Sequence, residues 1–248
     1  MKAWLEKLED EYKIEILFAC EGGSLAWGTD TDESDRDIRF IFKHHDIRSY
    51  LSLSSPVEVI DYSNPFDAHG WDVFKAFRLL EKSNPSLYEW AFSPVVYVDE
   101  GHFSTRLQES IIENYSPYSL AMHYVHLMDR NLKNVLDKAV FDKKALKRLI
   151  QVMKAAIIVN GILVNKGIKN GPFFKVEEVS NDIIYQQYYS FLIQAKTAGR
   201  LAEPERIRSM IEFLDRERIL LKRETQFLEK RKYSAEPLQV WLWDILKV

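Results

Sequence analysis

Asp35 and Asp37 flank a single residue, Arg36, shortly after a Gly22-Gly23-Ser24 turn. The turn breaks a compact apolar run, Ile14 to Cys20 (IEILFAC), which has strand length and composition. Ser24 to Gly28 reads as the first turn of a short helix. Glycines let a backbone approach a ligand closely, and a helix start offers unpaired N–H groups. Such a place suits phosphate oxygens, and the Ser24 hydroxyl adds a donor. Asp37 to Phe42 (DIRFIF) reads as a second strand, with Ile38, Phe40 and Phe42 on one face and Asp37, Arg39 and Ile41 on the other. Residues i and i+2 of a strand share a face, so Asp35 and Asp37 place two carboxylates together. Two carboxylates so close repel unless a cation lies between them. Mg²⁺ suits that position, being held as a rule by one or two carboxylates plus substrate phosphates. A phosphate cradle beside a carboxylate pair describes metal-dependent phosphoryl or nucleotidyl transfer.

The elements that must position these residues change character near residue 100. Before it lie short apolar runs punctuated by turns: a helix over 2–12, the two strands above, a strand over 57–62 and a short strand over 66–69. Then come a helix over 71–82, a helical turn over 87–92 and an edge strand over 95–98. After it lie helical patterns near 104–115, 117–139, 142–166, 180–198, 203–231 and 236–246. The expected architecture is α+β, a small mixed-sheet domain over 1–103 followed by an all-helical domain over 104–248. The 248 residues carry 34 Lys and Arg against 37 Asp and Glu, a net charge of −3, which excludes nucleic-acid binding through bulk positive charge. A local basic groove stays open. No apolar run is long enough to span a membrane, and the charged start (MKAWLEKLED) is unlike a secretory signal, so a cytoplasmic protein is expected. Cys20 is the single cysteine, so neither an internal disulfide nor a cysteine-based zinc site is expected.

Gly23-Ser24-Leu25-Ala26-Trp27-Gly28 and Ser34-Asp35-Arg36-Asp37-Ile38-Arg39 have the G-S-x-A-x-G and S-D-x-D-x-R form. This pattern resembles the DNA polymerase β-type nucleotidyltransferase superfamily. Further on, Asp67-Ala68-His69-Gly70-Trp71-Asp72, Ser83-Asn84-Pro85, Glu89-Trp90 and Ser93-Pro94 resemble its branch associated with RNA repair and RNA ligase. The resemblance covers roughly 15–100, continues more weakly to Lys154, and finds no clear match from about 175. It implies three metal-binding carboxylates: Asp35, Asp37 and, by position in the family pattern, Asp67, with Asp61 as the fallback and Glu58 behind it. It implies two Mg²⁺ ions, with Mn²⁺ as a substitute. A nucleoside triphosphate, ATP among the candidates, would be the substrate and would lose pyrophosphate. Asp67 would serve as general base, and Gly23 and Ser24 would hold the β- and γ-phosphates. The acceptor hydroxyl would be an RNA end by preference, otherwise a protein or a small molecule.

Each of these residues also has a plainer reading. A Gly-Gly-Ser triplet is often only a turn, and Asp67 can cap the helix expected from Trp71. Arg39 shares the carboxylate face and either contacts phosphate or forms an ion pair that orients an aspartate. Lys75 is expected to touch the triphosphate, whereas Arg78 reads as solvated helix surface. Lys147 and Lys154, with Lys143, form the best basic face in the chain and are expected to meet nucleic acid or the nucleotide's phosphates. His44-His45 reads as a loop pair without metal. His123 and His126, and the Tyr185, Tyr188 and Tyr189 helix, read as packing; Trp71, Trp90 and Phe92 read as core, with Trp27 left between core and base stacking. Two alternatives to an enzyme remain open on the same fold: a non-catalytic nucleotide-binding or regulatory module, and an antitoxin-like partner. Oligomeric state leaves no mark in the sequence.

Overall fold

The structure, a computed structural model, describes residues 1–31, 34–136, 142–168, 179, 182–199 and 203–248. In chain order its elements begin with α1 (Lys2–Tyr12), β1 (Ile14–Glu21), the short α2 (Gly23–Ala26) and β2 (Asp37–His44). A 3₁₀ turn (Ile47–Leu51) leads to β3 (Val59–Tyr62), β4 (Asp67–Asp72), α3 (Val73–Glu81), α4 (Pro85–Ala91) and β5 (Val96–Asp99). Helices follow: α5 (Phe103–Asn114), α6 (Pro117–Leu136), α7 (Lys143–Val164), α8 (Ile183–Thr197), α9 (Pro204–Thr225) and α10 (Ala235–Leu246). The chain forms two compact units, one of 1–115 with 232–248 and one of 116–231. Their limits differ from the expected 103/104 boundary, because α5 and the returning α10 belong with the sheet. Phe103 of α5 stacks on Phe18 of β1, and Trp241 of α10 packs against both Phe103 and Phe77.

The first unit is built on a five-stranded sheet of order β3-β4-β2-β1-β5. Only β2 and β4 run parallel; the other neighbours are antiparallel. The alternation read from DIRFIF holds. Ile38, Phe40 and Phe42 join Ile14, Ile16, Ile60 and Ala68 in a core that Leu5 and Leu8 of α1 cover. Gly70 belongs to this packing: a Cβ there would overlap the Phe40 ring. The opposite face carries Ile41 and Trp71 in register, and Trp71 stacks on Trp90 of α4 with ring centroids 4.0 Å apart.

One expectation changes here. The helix expected from Trp71 starts at Val73, because β4 stays in parallel register with β2 as far as the Phe42–Asp72 pair. Asp72 then caps α3, its carboxylate accepting the Phe74 N–H at 2.9 Å and the Tyr50 hydroxyl at 2.6 Å. The capping reading of Asp67 is thereby displaced.

In the second unit α7 packs against α6, α8 and α9, which explains an apolar set that runs around most of its circumference. Asp129 of α6 pairs with Arg218 at 3.0 Å and Lys222 at 3.2 Å, both on α9. The helix expected over 203–231 stops at Thr225, whose buried hydroxyl bonds back to the Leu221 carbonyl at 2.7 Å. The ends expected at 139 and 180 lie outside the described residues. Among the described residues no helix is long and apolar enough to cross a membrane.

Candidate active site

The site forms where β2 and β4 begin. Their parallel register sets Asp37 directly beside Asp67, and Arg39 beside His69, all on the face opposite α1. Arg39 Nη2 reaches Asp37 Oδ1 at 3.0 Å, and its Nη1 reaches Asp67 Oδ1 at 3.4 Å. The guanidinium therefore bridges two carboxylates from neighbouring strands, and it also donates to the Ile38 carbonyl at 2.9 Å. The Asp37 carboxyl is pushed above its ordinary range. Burial is the largest cause, Arg39 opposes it, and the Asp67 carboxylate and Glu21 add to it. The strand register and the shared Arg39 guanidinium bring the two carboxyls to one place.

Gly23 sits over this pair. Its φ is +55°, and a Cβ there would overlap Asp37 Oδ2, so a glycine is needed both for the backbone conformation and for the space. The Gly22 N–H donates to the Asp37 carbonyl at 2.6 Å, which ties the turn to the head of β2. Ser24, half-buried, accepts the Thr29 N–H at its carbonyl at 2.9 Å, closing the loop after α2.

The other expected residues are placed as follows. Asp35 precedes β2 and is exposed. Among the described residues no group of three or more His, Cys, Asp or Glu side chains is arranged to hold a metal ion. The fallback carboxylates are engaged elsewhere: Asp61 pairs with His69, and Glu58 with Arg78. Lys75 lies in the first turn of α3, at the opposite end of β4 from Asp67, and the structure does not bring it to the carboxylates. Lys147 and Lys154 lie on α7 in the second unit, the first exposed and the second half-buried. His123 of α6 has its pKa lowered by burial and by the nearby Arg130 and His126, which favours the neutral ring.

Sequence reasoning missed Glu21. It ends β1 just before the glycines, and it is 1% exposed. A charged residue closing the apolar IEILFAC run was the available signal. His69 was also missed; its Nδ1 meets the Asp61 carboxylate, and its ring packs edge-on against Trp71 and Trp90.

Comparison with known proteins follows the same lines. Residues 1–244 match the model of RlaP, the RNA repair pathway DNA polymerase beta family. The chain belongs to this family. The match bears out the resemblance carried by the glycine and aspartate motifs. It also extends through the helical stretch past 175, where the sequence alone showed no clear match. An uncharacterized protein of Bacillus subtilis (strain 168), YcgL, is 34% identical over 134 residues, which is 53% of this chain and 51% of that protein. The chain thus spans about half the length of that relative. A nucleotidyltransferase-like protein from Exiguobacterium sibiricum 255-15 aligns over 91% of this chain and 74% of its own, at 16% identity and a TM-score of 0.33. The family is that of polymerase β-like nucleotidyltransferases.

Proposed function

We propose that this chain is a Mg²⁺-dependent nucleotidyltransferase. It moves a nucleoside monophosphate from a nucleoside triphosphate to an acceptor hydroxyl, an RNA end by preference, and pyrophosphate leaves. One observation carries the reading: Asp37 and Asp67 stand side by side at the heads of two parallel strands, bridged by the Arg39 guanidinium and covered by Gly23. The Asp37–Asp67 pair fits a hard divalent cation, because its crowded carboxylates already draw a positive group between them. Asp37 and Asp67 would hold the metal, with Asp35 joining from the exposed segment before β2. A bound Mg²⁺ supplies charge neutralisation on the triphosphate and makes the acceptor hydroxyl more acidic.

The chain's own residues do the rest. Gly23 and Ser24 hold phosphate oxygens against the head of β2. Arg39, released from one carboxylate, has donors for a phosphate oxygen. The acceptor oxygen attacks the α-phosphorus, the bond to pyrophosphate breaks, and the hydroxyl proton passes to the Asp67 carboxylate. Rate comes from positioning and charge rather than from a covalent intermediate. Lys147 and Lys154 remain candidates for contact with nucleic acid or phosphate, Mn²⁺ a candidate substitute metal, and the cytoplasm the expected compartment.

The test is transfer of label from each nucleoside triphosphate in turn, with Mg²⁺ or Mn²⁺, to pooled small RNAs and to total cell protein. Label on a macromolecule is expected, and it should vanish in the Asp35→Ala, Asp37→Ala double variant. Transfer retained in that variant would remove these residues from the site. Tight nucleotide binding with no transfer to any acceptor would favour a non-catalytic module.

A further inference from the structure

The buried Glu21 has no part in the scheme above, yet it touches the segment that delivers its aspartates. Its side chain is completely buried, and taking a carboxylate out of water is costly unless donors surround it. Three donors do so. The Asp37 N–H reaches Oε1 at 2.7 Å, Arg36 Nε lies 3.3 Å from Oε2, and the Tyr97 hydroxyl of β5 donates to Oε2. Tyr97 in turn accepts from Arg36 Nη2 at 3.0 Å, and the guanidinium lies 6.0 Å from its ring centroid. The Tyr97 hydroxyl is held protonated, its pKa pushed up to about 12 by burial first and by Glu21 next.

The arrangement has a local cause. At the end of β1 the Gly22 N–H still pairs with the Asp37 carbonyl at 2.6 Å, as a ladder requires. The reciprocal acceptor, the Gly22 carbonyl, is taken by the Ala26 N–H of α2 at 3.3 Å. The Asp37 N–H is therefore left to a side chain, and Glu21 supplies it. Register sets the faces. Glu21 is opposite Ile38, whereas Asp37 and Arg39 point the other way. The Arg36 side chain is anchored on the Glu21 face, and its carbonyl accepts the Asp67 N–H at 3.1 Å. In extended chain, a residue anchored on one face turns its neighbours to the other.

We propose that Glu21, Arg36 and Tyr97 form a clamp whose task is to aim the aspartates either side of Arg36 at the metal. The proposal rests on the nucleotidyltransferase reading and adds three positioning residues to it. None of the three touches substrate. Partners of this kind typically change metal affinity about 10–100-fold.

The decisive experiment measures Mn²⁺ binding to the full chain without nucleotide, by titration calorimetry, together with the Mg²⁺ dependence of transfer. Arg36→Met and Tyr97→Phe each leave two of the three donors to Glu21 in place, so they remain informative if Glu21→Gln fails to fold. Each should weaken Mn²⁺ binding by about tenfold or more. Each should raise the Mg²⁺ needed for half-maximal rate by the same factor, while the KM for nucleotide at saturating Mg²⁺ stays put. Arg36→Lys keeps one charged partner for Glu21 and should recover part of the affinity. Folded Arg36→Met and Tyr97→Phe variants with parental Mn²⁺ affinity would overturn the clamp, provided Asp37→Asn abolishes binding. A parent chain that binds Mn²⁺ no better than Asp37→Asn would overturn the site reading, and the clamp with it.

Discussion

Strand β4 starts on one aspartate and ends on another, and their surroundings differ in kind. Asp72, at the end, is 1% exposed, and uncharged donors answer its carboxylate: the Phe74 N–H and the Tyr50 hydroxyl. Burial raises its pKa, and those two hydrogen bonds pull it back. Asp67, at the start, has a side chain 58% exposed, and it faces Asp37, whose own carboxyl is crowded by burial, by Asp67 and by Glu21. Asp72 joins a strand to a helix. Asp67 and Asp37 leave negative charge in excess at one point of the surface, with a single guanidinium between them. A fold gains nothing from that excess, and it is on this end of the strand that the proposed site rests.

The difference is sharpest in catalysis. Asp37→Asn should lower the rate of transfer by on the order of 10³-fold at saturating Mg²⁺, an effect comparable to losing a main electrostatic group. Asp72→Asn should leave the rate per folded molecule near the parental one. Initial rates on the two variants, corrected for folded fraction, decide the matter. A loss in Asp72→Asn as deep as in Asp37→Asn would erase the distinction between the two ends.

Gly23→Ala probes the same end from above. The new Cβ must displace the Asp37 carboxylate, and the backbone must hold a positive φ. Transfer should fall by about 10²-fold, the cost expected when a reacting group is misplaced by about 1 Å. Gly28→Ala is the control: its φ is also positive, at +59°, but no atom lies within 4 Å of its Cβ position. Equal losses in the two would assign the effect to backbone strain alone.

The structural end shows itself in stability. Asp72→Ala removes a helix cap and leaves the half-buried Tyr50 hydroxyl without its acceptor, a loss of about 1–3 kcal/mol. Chemical denaturation of Asp72→Ala against Tyr50→Phe measures it. Because both variants break the same Tyr50–Asp72 hydrogen bond, their double variant should be less damaging than the sum.

What the sequence disclosed follows from what each signal depends on. The strand alternation of DIRFIF and the i, i+2 logic placed Asp37 and Arg39 on one face, and β2 keeps that pattern. The start of α3 was misplaced by two residues because the length of β4 is set by its partner β2, a long-range pairing that local periodicity does not contain. The neighbourhood of Asp67 was legible only through family position, since two strands become adjacent by topology. Glu21 was missed for a related reason: its donors come from Asp37, Arg36 and Tyr97, all distant in sequence. Lys75 was overread because helical spacing gives a face but not which end of the sheet the helix starts from.

The smallest effect is the most discriminating, because it reverses the usual sign of a mutation at a charged site. The folded chain holds the Asp37 proton more tightly than the unfolded chain, since the folded pKa is the higher one. Stability contributed by this group is therefore fully present below the ordinary carboxyl range and is lost as pH rises through the raised value. Asparagine undergoes no such loss. In metal-free buffer at a pH above the raised value, Asp37→Asn should melt above the parent chain, and its advantage should shrink as the pH falls toward the ordinary carboxyl range and vanish below it. Added Mg²⁺ should reverse the order, because a cation that binds the folded parent stabilises it by mass action and has no carboxylate pair to bind in the variant. Thermal unfolding with chelator and then with Mg²⁺, on both chains, reads the two signs. A parent that outlasts Asp37→Asn in chelator would mean that the Arg39 ion pair outweighs the crowding, and that the head of β2 is held together much as the end of β4 is.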